Sequence, residues 1–370
     1  MKVLAISYAK QVLRTGSREQ MRMLEYTQGI ESFVLVVFTR KSDNLPTFFQ
    51  EGNLTVYGTD ARTSLGIVFA TLRISLRQHF ANKKNWVVSS QDVFVSGLLA
   101  YLVSVLKGVH LHIQVHEDLE PLFTHARGFK GAFMKVWASH LLKRAQKIRV
   151  VSQRIQDQLI VAGIAKRKID VLPVFSSLGS FLKVGAERIY GLDENIIFLY
   201  VGRFESVKNI SLLLNAFKVA HDTNQHLKLR LVGSGSKEVL LKEQIATLQL
   251  NEAVEVTPWV DDVAGEMKRA DVFVFTSKQE GYALVLVEAM AAGLPVVTTD
   301  VGCVREVMMP GIHGEVVDSE VENISKVMLS LSMDEEKRKM YGRASYESAF
   351  VFEKANHTYS SQWRDSFEIK

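Results

Sequence analysis

Glu280 and Glu288, with seven residues between them, flank a stretch whose chemistry suits a ligand carrying a negative charge, with two carboxylates beside it. Ionised carboxylates accept hydrogen bonds, while the free amides at the start of a helix attract an anion. The run 271–300 orders these groups as a strand, a glycine-bearing turn, a helix and a second strand. Glu280 falls in the turn and Glu288 about one to two turns into the helix at ~3.6 residues per turn, so the two can approach one ligand from different directions. Glu288 taken alone is indistinguishable from a surface glutamate; the company it keeps singles it out.

The elements that must hold these groups are legible in the same run. Val272, Phe273, Val274 and Phe275 form the continuous apolar stretch of a strand covered on both faces. Gly281 lets the chain turn, a helix begins near Ala283 or Leu284, and Gly293 followed by Pro295 stops it before Val296 and Val297 open the next strand. Ligands of open parallel sheets bind beyond the carboxyl ends of the strands, where Glu280, Gly281 and Tyr282 fall.

Three further stretches end strands in the same way. Gly202, Arg203 and Lys208 place two cations after the strand 196–201, where a planar guanidinium and a compact ammonium can neutralise a diphosphate; either cation alone would read as a solvent-facing turn residue. Gly233 and Gly235 follow the strand 227–232, but Glu238 replaces the third glycine of a dinucleotide fingerprint, which argues against a nicotinamide site. His116 ends the strand 111–115 beside Glu117 and Asp118, a position that fits either a structural or a functional histidine. The pair Asp261 and Asp262 reads as helix capping, and no Asp-x-Asp triplet occurs in the chain.

The pattern from Glu280 through Glu288 to Pro295 resembles the signature of family four of the retaining glycosyltransferases. That resemblance implies a GT-B fold: two Rossmann-like parallel-sheet domains of the α/β class facing each other across a cleft. It implies that Glu280 holds hydroxyls of the donor sugar, that Gly281, Tyr282, Ala283 and Leu284 offer amides to the diphosphate, and that Glu288 binds the ribose. Arg203 and Lys208, with Gly202, are implied at the diphosphate, Gly233 and Gly235 at the nucleotide, and His116 near the reacting sugar. Gly16, Ser17 and Arg18 stand where the family has a glycine-rich acceptor-side loop, although one glycine only is present. Ala283 departs from the family's usual glycine, and the stretch from Leu172 to Ser177 departs from its Pro-Asn-Gly.

The implied activity is transfer of a sugar from a UDP- or GDP-sugar to a hydroxyl of a glycan or lipid-linked acceptor, in bacterial surface polysaccharide or lipid-linked glycan synthesis. No cofactor and no metal are implied. A nucleotide-sugar epimerase of the same architecture and a catalytically silent nucleotide-sugar-binding protein are the competing readings; the spacing of Glu280 and Glu288 argues against the first.

Composition sets the frame. At 370 residues, 47% of them hydrophobic, the chain calls for two cores. Strand-like and helical runs alternate in both halves, which predicts parallel sheets, with residues 1–175 as a first domain, 176–354 as a second, and a closing helix at about 355–370 packing back on the first. The single Cys303 excludes an internal disulfide and fits a cytoplasmic protein. The stretch 93–106 is shorter than the ~20 apolar residues that span a bilayer and reads as a buried helix.

Charge divides unevenly. Residues 1–175 carry 24 Lys and Arg against 12 Asp and Glu, whereas the remainder carries 21 against 28. Basic residues of the first half interleave with apolar ones, Arg62, Arg73 and Arg77 around Phe69, and Arg127, Lys130, Lys135, Lys143 and Arg144 around Phe129, Phe133 and Trp137. Such helices either lie on an anionic bilayer, here the inner face of the cell membrane, or pack on their own sheet with cations toward water. No nucleic-acid-binding module accompanies the charge.

Overall fold

The computed structural model describes residues 1–120, 122, 128–174, 177–191, 194–356 and 358–369. Arg127 of the second basic stretch and the expected boundary at 175 and 176 lie outside them, as do the side chains of Phe129 and Lys130. The chain forms two compact units, one of Met1–Pro173 with Thr358–Lys370 and one of Val174–His357.

The first unit is built on an eight-stranded sheet: β1 (Lys2–Ser7), β2 (Ser32–Val37), β3 (Phe48–Glu51), β4 (Leu54–Gly58), β5 (Trp86–Ser90), β6 (His110–Val115), β7 (Lys147–Val150) and β8 (Ile169–Val171). Its spatial order is β3-β4-β2-β1-β5-β6-β7-β8, parallel throughout except for the β3–β4 hairpin. Val3, Leu4, Ala5 and Ile6 of β1 are buried, as a central strand covered on both faces requires. The chain moves outward from β1 to β2 and β4, then returns to lay β5 along β1's other side. That reversal leaves a crevice at the carboxyl ends of β1 and β5.

The helices labelled here are α1 (Arg18–Thr27), α2 (Ser64–Arg77), α3 (Val95–Lys107) and α4 (Gly128–Arg144) in this unit. The expectation that the stretch 93–106 is buried is corrected. Leu99, Ala100 and Val103 of α3 face the core, but Val95, Leu98, Leu102, Val105 and Leu106 are 36 to 66% exposed. A sheet covers only one stripe of a helix lying on it, and α3 is apolar on the opposite stripe as well.

The second unit holds six parallel strands: β9 (Ile196–Val201), β10 (Leu227–Val232), β11 (Val254–Thr257), β12 (Val272–Phe275), β13 (Val296–Thr298) and β14 (Gly314–Val316), ordered β11-β10-β9-β12-β13-β14. Here the reversal lies between β9 and β12, both fully buried at Phe198, Leu199, Phe273 and Val274. The helix following β12 is α5 (Leu284–Ala291).

The last labelled helix, α6 (Tyr359–Asp365), belongs to the first unit. Tyr359 and Trp363 pack tilted against Tyr26, with ring centroids 5.4 and 5.3 Å away, and the Phe367 ring centre lies 4.6 Å from that of His112. Beneath them the buried Arg149 donates to Tyr359 Oη at 2.6 Å, to Gln114 Oε1 at 2.8 Å and to the carbonyls of Leu172 and Pro173.

Candidate active site

In the second unit, the loops leaving β9 and β12 are fastened to each other. Lys278 N donates to Val207 O at 2.8 Å and Thr276 Oγ1 to Asn209 O at 3.3 Å. This brings Lys208 to Glu280, with Nζ 2.5 Å from Oε1 and both side chains 12% exposed. Ser277 Oγ donates to the same Glu280 oxygen at 2.6 Å, and the Lys208 ammonium lies 5.7 Å from the centre of the Phe275 ring. A buried ion pair needs such additional partners to offset desolvation.

Beside this pair a cavity of about 170 Å³ is lined by Gly202, Lys208, Trp259, Glu280, Ala283 and Glu288, among others. Leu284 and Val285 join the wall. The predicted residues Gly202, Lys208, Glu280, Ala283, Leu284 and Glu288 therefore meet at one place, the switch point of the sheet. Helix α5 starts where the sequence places it, and no side chain caps it; its N-cap is Ala283, held at φ 73° and ψ 56°. A non-glycine residue in this left-handed region costs roughly 1–2 kcal/mol. Tyr282 is buried and Gly281 partly so.

Gly233 and Gly235 are not among the residues that line this cavity. A Cβ on Gly233 would sit 1.9 Å from the Gly202 carbonyl oxygen, and one on Gly235 2.5 Å from that of Phe204. The two glycines thus let the loop after β10 lie directly against the loop that carries Gly202 and Arg203, and Phe204 N donates to Ser234 O at 2.8 Å. Arg203 itself is exposed and, among the described residues, makes no side-chain hydrogen bond or ion pair. Asp262 caps its helix through Gly265 N at 2.9 Å, in line with the sequence.

Two residues that the sequence reading left without a role stand at this site. Trp259, 55% exposed, contributes an aromatic face to the cavity wall. Tyr200 is fully buried, stacked 6.0 Å from Phe275, with Oη donating to Arg203 O at 3.2 Å. Burial first, and then the charge of Glu280, push the Tyr200 phenol well above its ordinary range, so it stays a hydrogen-bond donor. Strand-end position signalled Glu280 and Lys208; no comparable signal marks an aromatic inside a strand.

In the first unit a second cavity, of about 280 Å³, opens at the β1/β5 reversal and is lined by Tyr8, Gln91, Asp92, Phe94, His116 and Glu117, among others. Burial first and the Arg149 charge second hold His116 down to about 3, so its imidazole is neutral at neutral pH. Gly16, Ser17 and Arg18 are not among the lining residues. Ser17 caps α1 by accepting from Gln20 N at 3.1 Å and donates to Gln11 O at 2.6 Å, while Gly16 takes φ 75° ahead of it.

Comparison with known proteins agrees with this architecture. Residues 187–348 match the family model of glycosyl transferases group 1, and residues 19–174 match that of the glycosyl transferase 4-like domain. The capsular polysaccharide biosynthesis glycosyltransferase CapM of Staphylococcus aureus is 27% identical over 65% of this chain and 68% of its own length. The D-inositol 3-phosphate glycosyltransferase of Pseudarthrobacter chlorophenolicus is 32% identical over 41% of this chain, which spans only 38% of that relative. Among solved structures, Anabaena HepE in complex with UDP and glucose superposes with a TM-score of 0.71 at 17% identity over 99% of this chain and 100% of its own. The sucrose-phosphate synthase of Thermosynechococcus elongatus does so with 0.75 at 18% identity over 99% of each. Two family models that between them take up most of both units show a glycosyltransferase, and the full-length neighbours share its double parallel-sheet architecture, the GT-B fold.

Proposed function

We propose that the chain is a retaining transferase that takes a sugar from a UDP- or GDP-sugar and delivers it to a hydroxyl of a glycan or lipid-linked acceptor. The observation that carries this reading is the Lys208–Glu280 pair, set beside Glu288 and the uncapped start of α5 in one cavity. Glu280 has a second oxygen for sugar hydroxyls, Lys208 and the first amides of α5 face the diphosphate, and Glu288 takes the ribose. Arg203, exposed on the same loop as Lys208, closes on the phosphates when the donor binds. Gly233 and Gly235 act by setting the shape of that loop.

During transfer the anomeric carbon–oxygen bond to the diphosphate breaks and a bond to the acceptor oxygen forms on the same face. The acceptor proton passes to the departing phosphate oxygen. Negative charge grows on the diphosphate, where fixed cations and amides stabilise it without reorganising. These groups take the place of a divalent ion, in keeping with a chain that has no Asp-x-Asp triplet. The neutral His116 offers hydrogen bonding rather than charge to a ligand of the first unit's cavity. Its physiological setting, on this reading, is the cytoplasmic side of a bacterial membrane, in surface polysaccharide or lipid-linked glycan synthesis.

The test is transfer and donor binding by Glu280→Gln and Glu288→Gln, made separately, with and without a chelator. Loss of transfer in Glu280→Gln and weakened nucleotide binding in Glu288→Gln are expected, with no effect of the chelator. Full transfer in both variants would remove the site assignment, and donor turnover without any acceptor would favour the epimerase.

A further inference from the structure

The outer stripe of α3 has no ordinary explanation in an isolated unit. Val95, Leu98, Leu102, Val105 and Leu106 recur at helical spacing and are 47, 36, 36, 60 and 66% exposed. Polar residues normally occupy the solvent side of a helix on a sheet, and a contiguous apolar strip there marks a docking surface.

The strip is widened by its neighbours. α2 and α4 lie along α3 on either side, α4 fixed by the edge-on contact of Tyr101 with Trp137 at 6.1 Å and by the 3.3 Å hydrogen bond between Tyr101 and His140. On α2, Leu65 and Phe69 are 71 and 70% exposed, and the same i+4 row continues into the exposed Arg73 and Arg77. On α4, Phe133 and Val136 are 62 and 70% exposed beside the exposed Lys135, Lys143 and Arg144.

Charge decides what covers this face. None of the three helices contains an aspartate or glutamate. A second copy of the chain placed on the strip would therefore set cations against cations, whereas an anionic lipid surface supplies both the apolar phase and the counter-charge. No described helix is long and apolar enough to cross a membrane. We propose that α2, α3 and α4 form a lipid-docking face, with the strip of α3 seated at the headgroup–acyl boundary and the cations of α2 and α4 among the phosphates.

The experiment is co-sedimentation of the full chain with vesicles of phosphatidylcholine alone or mixed with phosphatidylglycerol. Wild type is expected to bind the anionic vesicles, to release at high salt, and to ignore the neutral ones. Leu102→Asp with Leu106→Asp, at exposed positions and with folding checked by circular dichroism, is expected to lower binding about tenfold, the effect of two charges at an apolar boundary. Arg73→Glu with Arg77→Glu is expected to lower it about as much. Val161→Asp, on the helix Gln153–Val161 and 89% exposed, is the control expected to bind as wild type. Equal binding to both vesicle types, undiminished binding by either double variant, or a wild-type dimer that Leu102→Asp with Leu106→Asp dissociates would overturn the proposal. The measurement uses neither donor nor acceptor, so its failure is separate from a failure of the transferase reading.

Discussion

Lys208 and Glu280 are 72 positions apart in sequence, yet their charged atoms lie 2.5 Å from each other at the carboxyl ends of adjacent strands. Each neutralises the other before any ligand arrives. Lys208→Met is expected to leave the Glu280 carboxylate buried without its cation and to lower stability by about 3 kcal/mol, while Lys208→Met combined with Glu280→Gln recovers most of that loss. Denaturant titration of both single variants and the double completes the cycle. Transfer is expected to fall about a hundredfold or more in Lys208→Met.

Ala283 takes a conformation that glycine adopts freely. Ala283→Gly is expected to raise unfolding free energy by about 0.5–1 kcal/mol, the left-handed strain relieved less the added chain entropy of glycine. A denaturant midpoint at or below that of wild type would show that the strain is relaxed elsewhere.

Gly233→Ala drives a methyl into the Gly202 carbonyl, which cannot yield without moving the loop that carries Arg203 and Lys208. A loss of about 2–4 kcal/mol is expected, together with loss of donor binding by calorimetry. The same substitution at Gly191, where a Cβ meets nothing within 4 Å, is expected to change neither.

His112 is fully buried, with Nδ1 2.9 Å from Ser89 Oγ, and burial, then Arg149 and Lys147, hold its ionisation down from 6.5 to about 3. The unfolded chain takes up a proton that the folded state refuses. This ring's contribution is therefore complete above pH 6.5 and is lost as pH falls from there toward 3. Wild type is expected to lose on the order of 2 kcal/mol from this group between neutrality and about pH 5, and His112→Gln correspondingly less over the same window.

Apart from the β3–β4 hairpin, the described strands are legible as strand-like runs, and the central ones are continuous apolar stretches because parallel strands there are buried on both faces. Phe48–Glu51 is mostly exposed at the sheet edge and leaves no such run. Strand-end position marked Glu280 and Lys208, but not their mutual contact, which depends on β9 lying beside β12. The glycines 233 and 235 were visible as a motif, and their packing against Gly202 and Phe204 was not. The α3 stretch shows the limit of hydrophobicity as a guide to burial: an apolar residue facing a sheet and one facing outward look alike in sequence.

The aromatic contacts of Tyr359, Trp363 and Phe367 with Tyr26, Phe33 and His112 join two stretches of the first unit that are separated by the whole of the second. On a ribosome, the strands of the first unit emerge early but wait for their aromatic lid until the intervening sequence has been translated. The nascent first unit must persist through that interval with Tyr26 and Phe33 uncovered, so the second unit is free to fold before the first is complete.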